Sequence, residues 1–376
     1  MSKSEFMRKD DLLTSNQITF MVLGSVIGAG FVSIPNALVK TAYQDAWISA
    51  VLSLIYPVFS LFLANYIIKM CPEDNILSIN RNIFGNIFGN ILNLLFAVPM
   101  CFYIFSISSD YTNVVLTYIV AFLKPIKILN ISLLIVAYTA YKGLQSLSKA
   151  NEYIGYLIIL LIIMSAAALK HGDIKNLQPV LQTPFKDILK TTLSSIYFFS
   201  GTESLLLYCN KAKNKDSIRK SSFIGLLISS IIWVWIILIT IYYLGIDIIP
   251  KCKWSFILVF ESINLPIINN FRYVFMFQWV LMCLRIISNY YYFASFTISD
   301  VFKLNRKKVC IYMYLPCLYI SYKLTNLFLR KKLIDFLSPV FLVFNVSLLI
   351  LISIITFIRN KKHAKPMQKS PKEELK

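Results

Sequence analysis

Three ionisable residues, Asp110, Glu203 and Arg285, sit inside long apolar runs of this 376-residue chain. A charge at the centre of a bilayer costs roughly 3 kcal/mol on insertion scales, so such a group faces a protein interior and finds a partner there. Asp110 and Arg285 fall at similar depth in runs of opposite direction, and the expectation is that they pair across a helix bundle. The alternative is that each meets backbone carbonyls or water separately. Glu203 follows Ser200-Gly201-Thr202 directly. It could cap loosened backbone, take up a proton or reach cavity water.

The second feature with chemical potential is Gly24-Ser25-Val26-Ile27-Gly28-Ala29-Gly30, which holds three of the eleven glycines and is followed by Pro35. Glycine in mid-helix costs about 1 kcal/mol relative to alanine. A loosened backbone in lipid also needs partners for its N–H and C=O groups. An unwound stretch there would expose N–H groups at the start of a half-helix, where the dipole favours a carboxylate. Close packing through the small faces of Gly24 and Gly28 is the competing use. The sixth apolar run carries an echo at Ser200-Gly201-Thr202, and breaks at corresponding places of two halves point to a small-solute site. The candidate ligand contacts are Ser25, Gly28, Ala29, Gly30, Phe31, Tyr103, Phe199, Ser200, Gly201, Thr202 and Tyr291, with Asp110, Glu203 and Arg285 as a coupling charge network.

The elements that must position these residues are membrane spans. Hydrophobic residues make up 57% of the chain and charged residues 15%, with a mean hydropathy of +0.66, a balance unsuited to a water-exposed surface. Ten apolar runs are long enough to cross: about 16–38, 45–69, 89–123, 126–142, 146–169, 188–208, 221–245, 270–301, 309–329 and 333–358. The expected organisation is a short tail over 1–15, a ten-helix transmembrane unit over 16–358 and a basic tail over 359–376. Within the unit, a first repeat of about 16–169 and an inverted second of about 188–358 place the two breaks in equivalent helices. Isoleucines at helical spacing within 73–88 predict a short interfacial helix.

An even span count puts both ends on one side. Lysine and arginine number 23 on that side and 14 on the other, so both termini are expected in the cytoplasm. Lys323, Arg330, Lys331 and Lys332, between the ninth and tenth runs, go against the rule. No export signal is evident in the polar first 15 residues, so the first helix should stay in the mature protein. The formal charge of +20 belongs to the loops and tails and comes without a nucleic-acid recognition motif, so no nucleic acid is expected. Seven cysteines without a C-x-x-C pair and only two histidines suggest no metal and no disulfide framework. Nucleophile elbow, P-loop and H-E-x-x-H are all missing; neither an enzyme nor a cofactor is expected.

Ile27-Gly28-Ala29-Gly30-Phe31 with Pro35 resembles the broken first helix of the amino acid–polyamine–organocation transporter superfamily, and Phe198-Phe199-Ser200-Gly201-Thr202-Glu203 resembles its sixth. More narrowly, Tyr43-Gln44-Asp45-Ala46-Trp47-Ile48-Ser49 is similar to the start of the second span in the B subunits of spore germinant receptors, the spore germination permeases. Asn176-Leu177-Gln178-Pro179-Val180 and Arg285-Ile286 add to that likeness. The resemblance implies a LeuT-like fold of two inverted five-helix repeats with helices 1 and 6 broken, and a nutrient germinant, often an amino acid, bound at the breaks. It further implies a lipid bilayer setting, a bacterial cell membrane or spore inner membrane, and partner A and C subunits. Two departures stand out: Ser108-Ser109-Asp110 occupies a place where an arginine beside the acid is expected, and Tyr208-Cys209-Asn210 one where a proline is common. An amino acid permease that transports its ligand is the rival reading.

Overall fold

A computed structural model describes residues 12–263 and 271–363. The first eleven residues, the stretch 264–270 and the basic tail after 363 lie outside the described residues. The described residues are 84% helical, and the only strand-like pairing among them is an isolated bridge between Leu13 and Ala212.

The first span begins with α1 (Ser15–Val26), fixed by a capping box in which Thr14 and Gln17 satisfy each other's backbone N–H groups. It stops at Ile27 and Gly28, passes a 3-10 turn over Ala29–Val32, and resumes as α2 (Ile34–Ala42), whose Pro35 sits in the first turn where no N–H is needed. The second span is α3 (Ala46–Ser53) and α4 (Ile55–Met70), joined at Leu54. Then comes α5 (Ile76–Tyr118), divided at Gly85, whose φ of 79° and ψ of 171° suit only glycine. The piece before Gly85 is a short helix within the stretch 73–88. Helices α6 (Pro125–Lys142) and α7 (Leu144–Ser165) complete the first five spans.

The sixth span repeats the interruption. Helix α8 (Phe185–Ser195) leads into a 3-10 turn over Ile196–Phe199, the chain opens at Ser200 and Gly201, and a second turn over Thr202–Ser204 feeds α9 (Leu205–Tyr208). Helix α10 (Ser217–Leu244) is the seventh span. The short α11 (Ser255–Glu261) precedes α12 (Arg272–Val301), α13 (Arg306–Lys323) and α14 (Leu327–His363), the eighth to tenth. Among the described residues, five helical stretches are long and apolar enough to cross a membrane by length and composition alone: Ile34–Met70, Ile76–Tyr118, Leu144–Lys170, Ser217–Leu244 and Leu327–Arg359. Other spans are interrupted or, like α12, more polar and enclosed by neighbours.

The core explains that difference. Helix α12 packs along α5 and α6 and buries Trp279, Arg285, Tyr291 and Phe293, while α1 lies between α7 and α10. Large apolar side chains left exposed, such as Ile55 and Phe62 on α4 or Ile311, Tyr312 and Leu315 on α13, belong to the outer helices that face lipid. Two boundaries differ from the expected runs. Helix α13 ends at Lys323 and α14 already begins at Leu327, so Arg330, Lys331 and Lys332 are helical residues and not loop residues. Of the three, Arg330 has an ion-pair partner, Asp110.

Two latches hold the ends of the bundle. Asp45, fully buried, accepts N–H bonds from Leu181 at 2.7 Å and Thr183 at 2.9 Å, and Gln44 Nε2 donates to the Gln178 carbonyl at 3.4 Å. The Gln44-Asp45 stretch and the loop before α8 thus form one cap on the side opposite the N-terminus. On the N-terminal side, Leu13 exchanges backbone bonds with Lys211 and Lys213 at 2.8 and 2.9 Å, and Gln145 Nε2 donates to the Leu12 carbonyl at 2.7 Å.

Candidate functional site

Both breaks open onto one cavity of about 830 Å³. Ser25, Gly28, Ala29 and Gly30 of the first span, Tyr103 and Ser106 of α5, Tyr197, Phe198 and Ser200 of the sixth span, Trp233 of α10, and Ile286 and Tyr290 of α12 line it. The cavity continues past Asp110, Arg330 and Asp335 towards Asn36 and Lys40, on the side away from the N-terminal latch.

At the first break the backbone supplies both signs. Phe31 N donates to Gly28 O at 3.1 Å and Ser33 N to Gly30 O at 3.0 Å, so the N–H groups of Ala29 and Gly30 precede the first bonded donor of the turn. The carbonyls released at the end of α1 are met by α12. Asn289 Nδ2 donates to Gly24 O at 3.2 Å, the Tyr290 hydroxyl to Ser25 O at 3.2 Å, and Arg285 Nη2 to Ile27 O at 2.9 Å. Asn289 is itself held in a two-way amide pair with Asn151 of α7, at 2.7 and 3.0 Å.

At the second break Gly201 takes a φ of 119°, in the left-handed region, and a Cβ placed on it would lie 2.4 Å from Ser25 O. Glycine is required there twice over, by conformation and by the close approach of the two broken helices. Glu203 caps the opened backbone: its Oε2 accepts the Gly201 N–H at 3.0 Å, and its Oε1 accepts from Asn345 Nδ2 of α14 at 2.7 Å. Ser25 Oγ and Ser204 Oγ are 3.1 Å apart, which links the halves again. Ser200 Oγ donates to the Tyr197 carbonyl at 2.8 Å and lies 3.2 Å from the Tyr103 hydroxyl.

Six of the expected contacts, Ser25, Gly28, Ala29, Gly30, Tyr103 and Ser200, line the cavity. Five others sit behind its wall. Phe31 packs on Trp233, Phe256 and Phe275, and Phe199 packs on Trp233, both fully buried. Gly201 and Thr202 form the backbone contact between the breaks. Tyr291 donates to Cys310 O at 2.5 Å; since successive helical residues differ by about 100° in direction, Tyr290 facing the cavity turns Tyr291 towards α13.

The expected ion pair between Asp110 and Arg285 does not form. Asp110 Oδ1 meets Arg330 Nη2 at 2.6 Å, while Arg285 is directed at the carbonyl of Ile27. The physical reason is where α14 starts: with Arg330 in its first turns, a cation lies beside α5 at the level of Asp110, and Arg285 is left to the break. Residues that sequence reasoning missed are Arg330, hidden in a basic run assigned to a loop, and Asn151, Asn289 and Asn345, whose polar amides inside apolar runs were the available signal. Trp233, Phe198 and Ile286 were indistinguishable from packing residues.

Ten spans with the first and sixth broken at one level around a shared cavity define a membrane protein of the LeuT transporter fold. Among solved structures, the fold is similar to MhsT in complex with L-phenylalanine (TM-score 0.69, 14% identity, covering 94% of this chain and 89% of that one). It is also similar to Mhp1, a nucleobase-cation-symport-1 family transporter in a closed conformation with bromovinylhydantoin bound (TM-score 0.66, 12% identity, 91% and 80% covered). The family model described as spore germination protein matches residues 12–328, and the chain belongs to that spore permease family. Curated relatives include spore germination protein GerQB of Bacillus cereus, 22% identical over 309 residues (82% of this chain, 86% of the relative). Spore germination protein B2 of Bacillus subtilis strain 168 is 20% identical over 311 residues (80% and 83%).

Proposed function

We propose that this chain is the germinant-sensing B subunit of a spore germination receptor, binding a small nutrient, most simply an amino acid, where helices 1 and 6 are broken. The observation that carries this reading is the shared cavity: free N–H groups at Ala29 and Gly30 suit a carboxylate, and an aromatic wall of Tyr103, Phe198, Trp233 and Tyr290 suits the remainder of the ligand. Family membership supports the germination role, and the solved neighbours supply examples of small ligands held by this fold. Occupancy would act by favouring one arrangement of the bundle over another, which requires different affinity for the two. Glu203 bridges the sixth-helix break to α14, and Asp110 bridges α5 to α14, so the tenth span is the element best placed to carry that change to A and C subunits. In this proposal both termini face the cytoplasm, the membrane is the spore inner membrane or the cell membrane, and no catalysis is involved.

The rival is an amino acid permease with the same pocket. Disruption of the chain in spores, paired with labelled amino acid uptake by vesicles that contain it alone, separates the two. Loss of germination towards one nutrient without vesicle uptake supports the receptor; uptake driven across the vesicle membrane supports the permease.

A further inference from the structure

The end of α1 is a place of concentrated negative potential. A helix C-terminus carries the equivalent of about half a negative charge, and unwound carbonyls with such half-helix ends coordinate monovalent cations in membrane proteins of this architecture. Here three carbonyls within the last turn of α1 and its cap are served by side chains of α12: Gly24 by Asn289, Ser25 by Tyr290 and Ile27 by Arg285. Arg285 alone among them is a cation. It is 2% exposed, forms no ion pair among the described residues, and its Nε and Nη1 make no hydrogen bond there. A buried guanidinium without a carboxylate is costly unless something else offsets its charge, and the carbonyl end of α1 is the group it touches.

We propose that the Arg285 guanidinium is a tethered cation that takes the place a bound monovalent metal ion would occupy at the first-helix break, so that this site needs no dissolved sodium. An ion arriving at the same carbonyls would meet the like charge of Arg285 at close range and find Gly24 and Ser25 already bonded. The break is then held by a charge that moves only with α12 and is insensitive to the salt outside. The inference rests on the receptor reading only in taking the break for the ligand site, and it is tested without any nutrient, so the two can fail separately.

The test uses the full chain in lipid nanodiscs, with thermal unfolding in matched sodium and choline chloride and equilibrium binding of radiolabelled sodium. The wild type is expected to show the same midpoint in both salts and sodium binding at background. Arg285→Lys, which keeps the charge, should remain indifferent to sodium. Arg285→Met should be less stable in choline, regain part of the loss with sodium or methylguanidinium, and acquire saturable sodium binding. Saturable sodium binding by the wild type overturns the proposal, as does a folded Arg285→Met whose midpoint ignores both cations. Should Arg285→Met not fold, the wild type and Arg285→Lys still decide: sodium stabilisation of either one overturns the proposal, and indifference of both supports it.

Discussion

The carboxylate of Asp110 and the guanidinium of Arg330 meet at 2.6 Å and tie the third span to the tenth beside the cavity. Both side chains are mostly covered, at 19% and 11% exposure. Removing one partner strands the other, at a cost of about 1–2 kcal/mol once the residual solvent contact is discounted from the value for fully buried pairs. Asp110→Asn and Arg330→Gln should each lower the unfolding midpoint, the double variant should be less damaging than the sum, and a charge swap should recover part of the loss. A cycle of Asp110→Asn with Arg285→Gln should be additive. Coupling to Arg285 instead of Arg330 would contradict the observed pairing.

Gly201→Ala places a methyl group 2.4 Å from the Ser25 carbonyl and at a φ of 119°. Neither can be relieved by a rotamer change, so the cost is expected at roughly 2 kcal/mol or more. Thermal unfolding should register it. A variant with an unchanged midpoint would mean that the two breaks are not packed against each other.

Glu203 offers a test of capping against charge. A glutamine keeps an oxygen for the Gly201 N–H, and Asn345 can turn its unpartnered Oδ1 towards the new amide. Glu203→Gln should therefore stay within about 1 kcal/mol of the wild type, whereas Glu203→Ala orphans a buried donor at about 1–3 kcal/mol. Equal losses in the two variants, read from unfolding midpoints, would point to the negative charge as the essential property.

Asp45→Ala removes the acceptor for both Leu181 and Thr183. Loss of about 1–3 kcal/mol is expected, mainly from the buried Thr183 N–H, since Leu181 is partly open to solvent, together with faster proteolysis of the loop before α8. A loop protected to the wild-type degree would show that the cap does not depend on Asp45.

The outline of the bundle was legible because apolar runs and broken-helix glycines are local signals. Gly28, Gly30 and Gly201 located the cavity through backbone rules that need no knowledge of neighbours. What stayed hidden depends on register between distant helices. Arg330 looked like a loop cation because its run of three basic residues masked the first turns of α14. Arg285 and Asp110 were matched by depth, yet depth says nothing of which helix face each occupies. Tyr291 is an expected contact, yet its neighbour Tyr290 lines the cavity, a difference of one residue and about 100°. The Gln44-Asp45 stretch and the Asn176–Val180 loop each carried family likeness. That they form one latch became visible only in three dimensions.

Nutrient binding at the two breaks is the step on which the proposed sensing role depends. It is tested most directly by a thermal-shift panel of single amino acids on the purified chain, run in parallel on the wild type and on Gly30→Val. A Cβ at Gly30 already lies 2.5 Å from the Phe198 ring, so valine drives that ring into the cavity. One or a few amino acids are expected to raise the wild-type midpoint, and the shift is expected to be lost in Gly30→Val. A nutrient whose stabilisation persists undiminished in Gly30→Val would place the site elsewhere and contradict it.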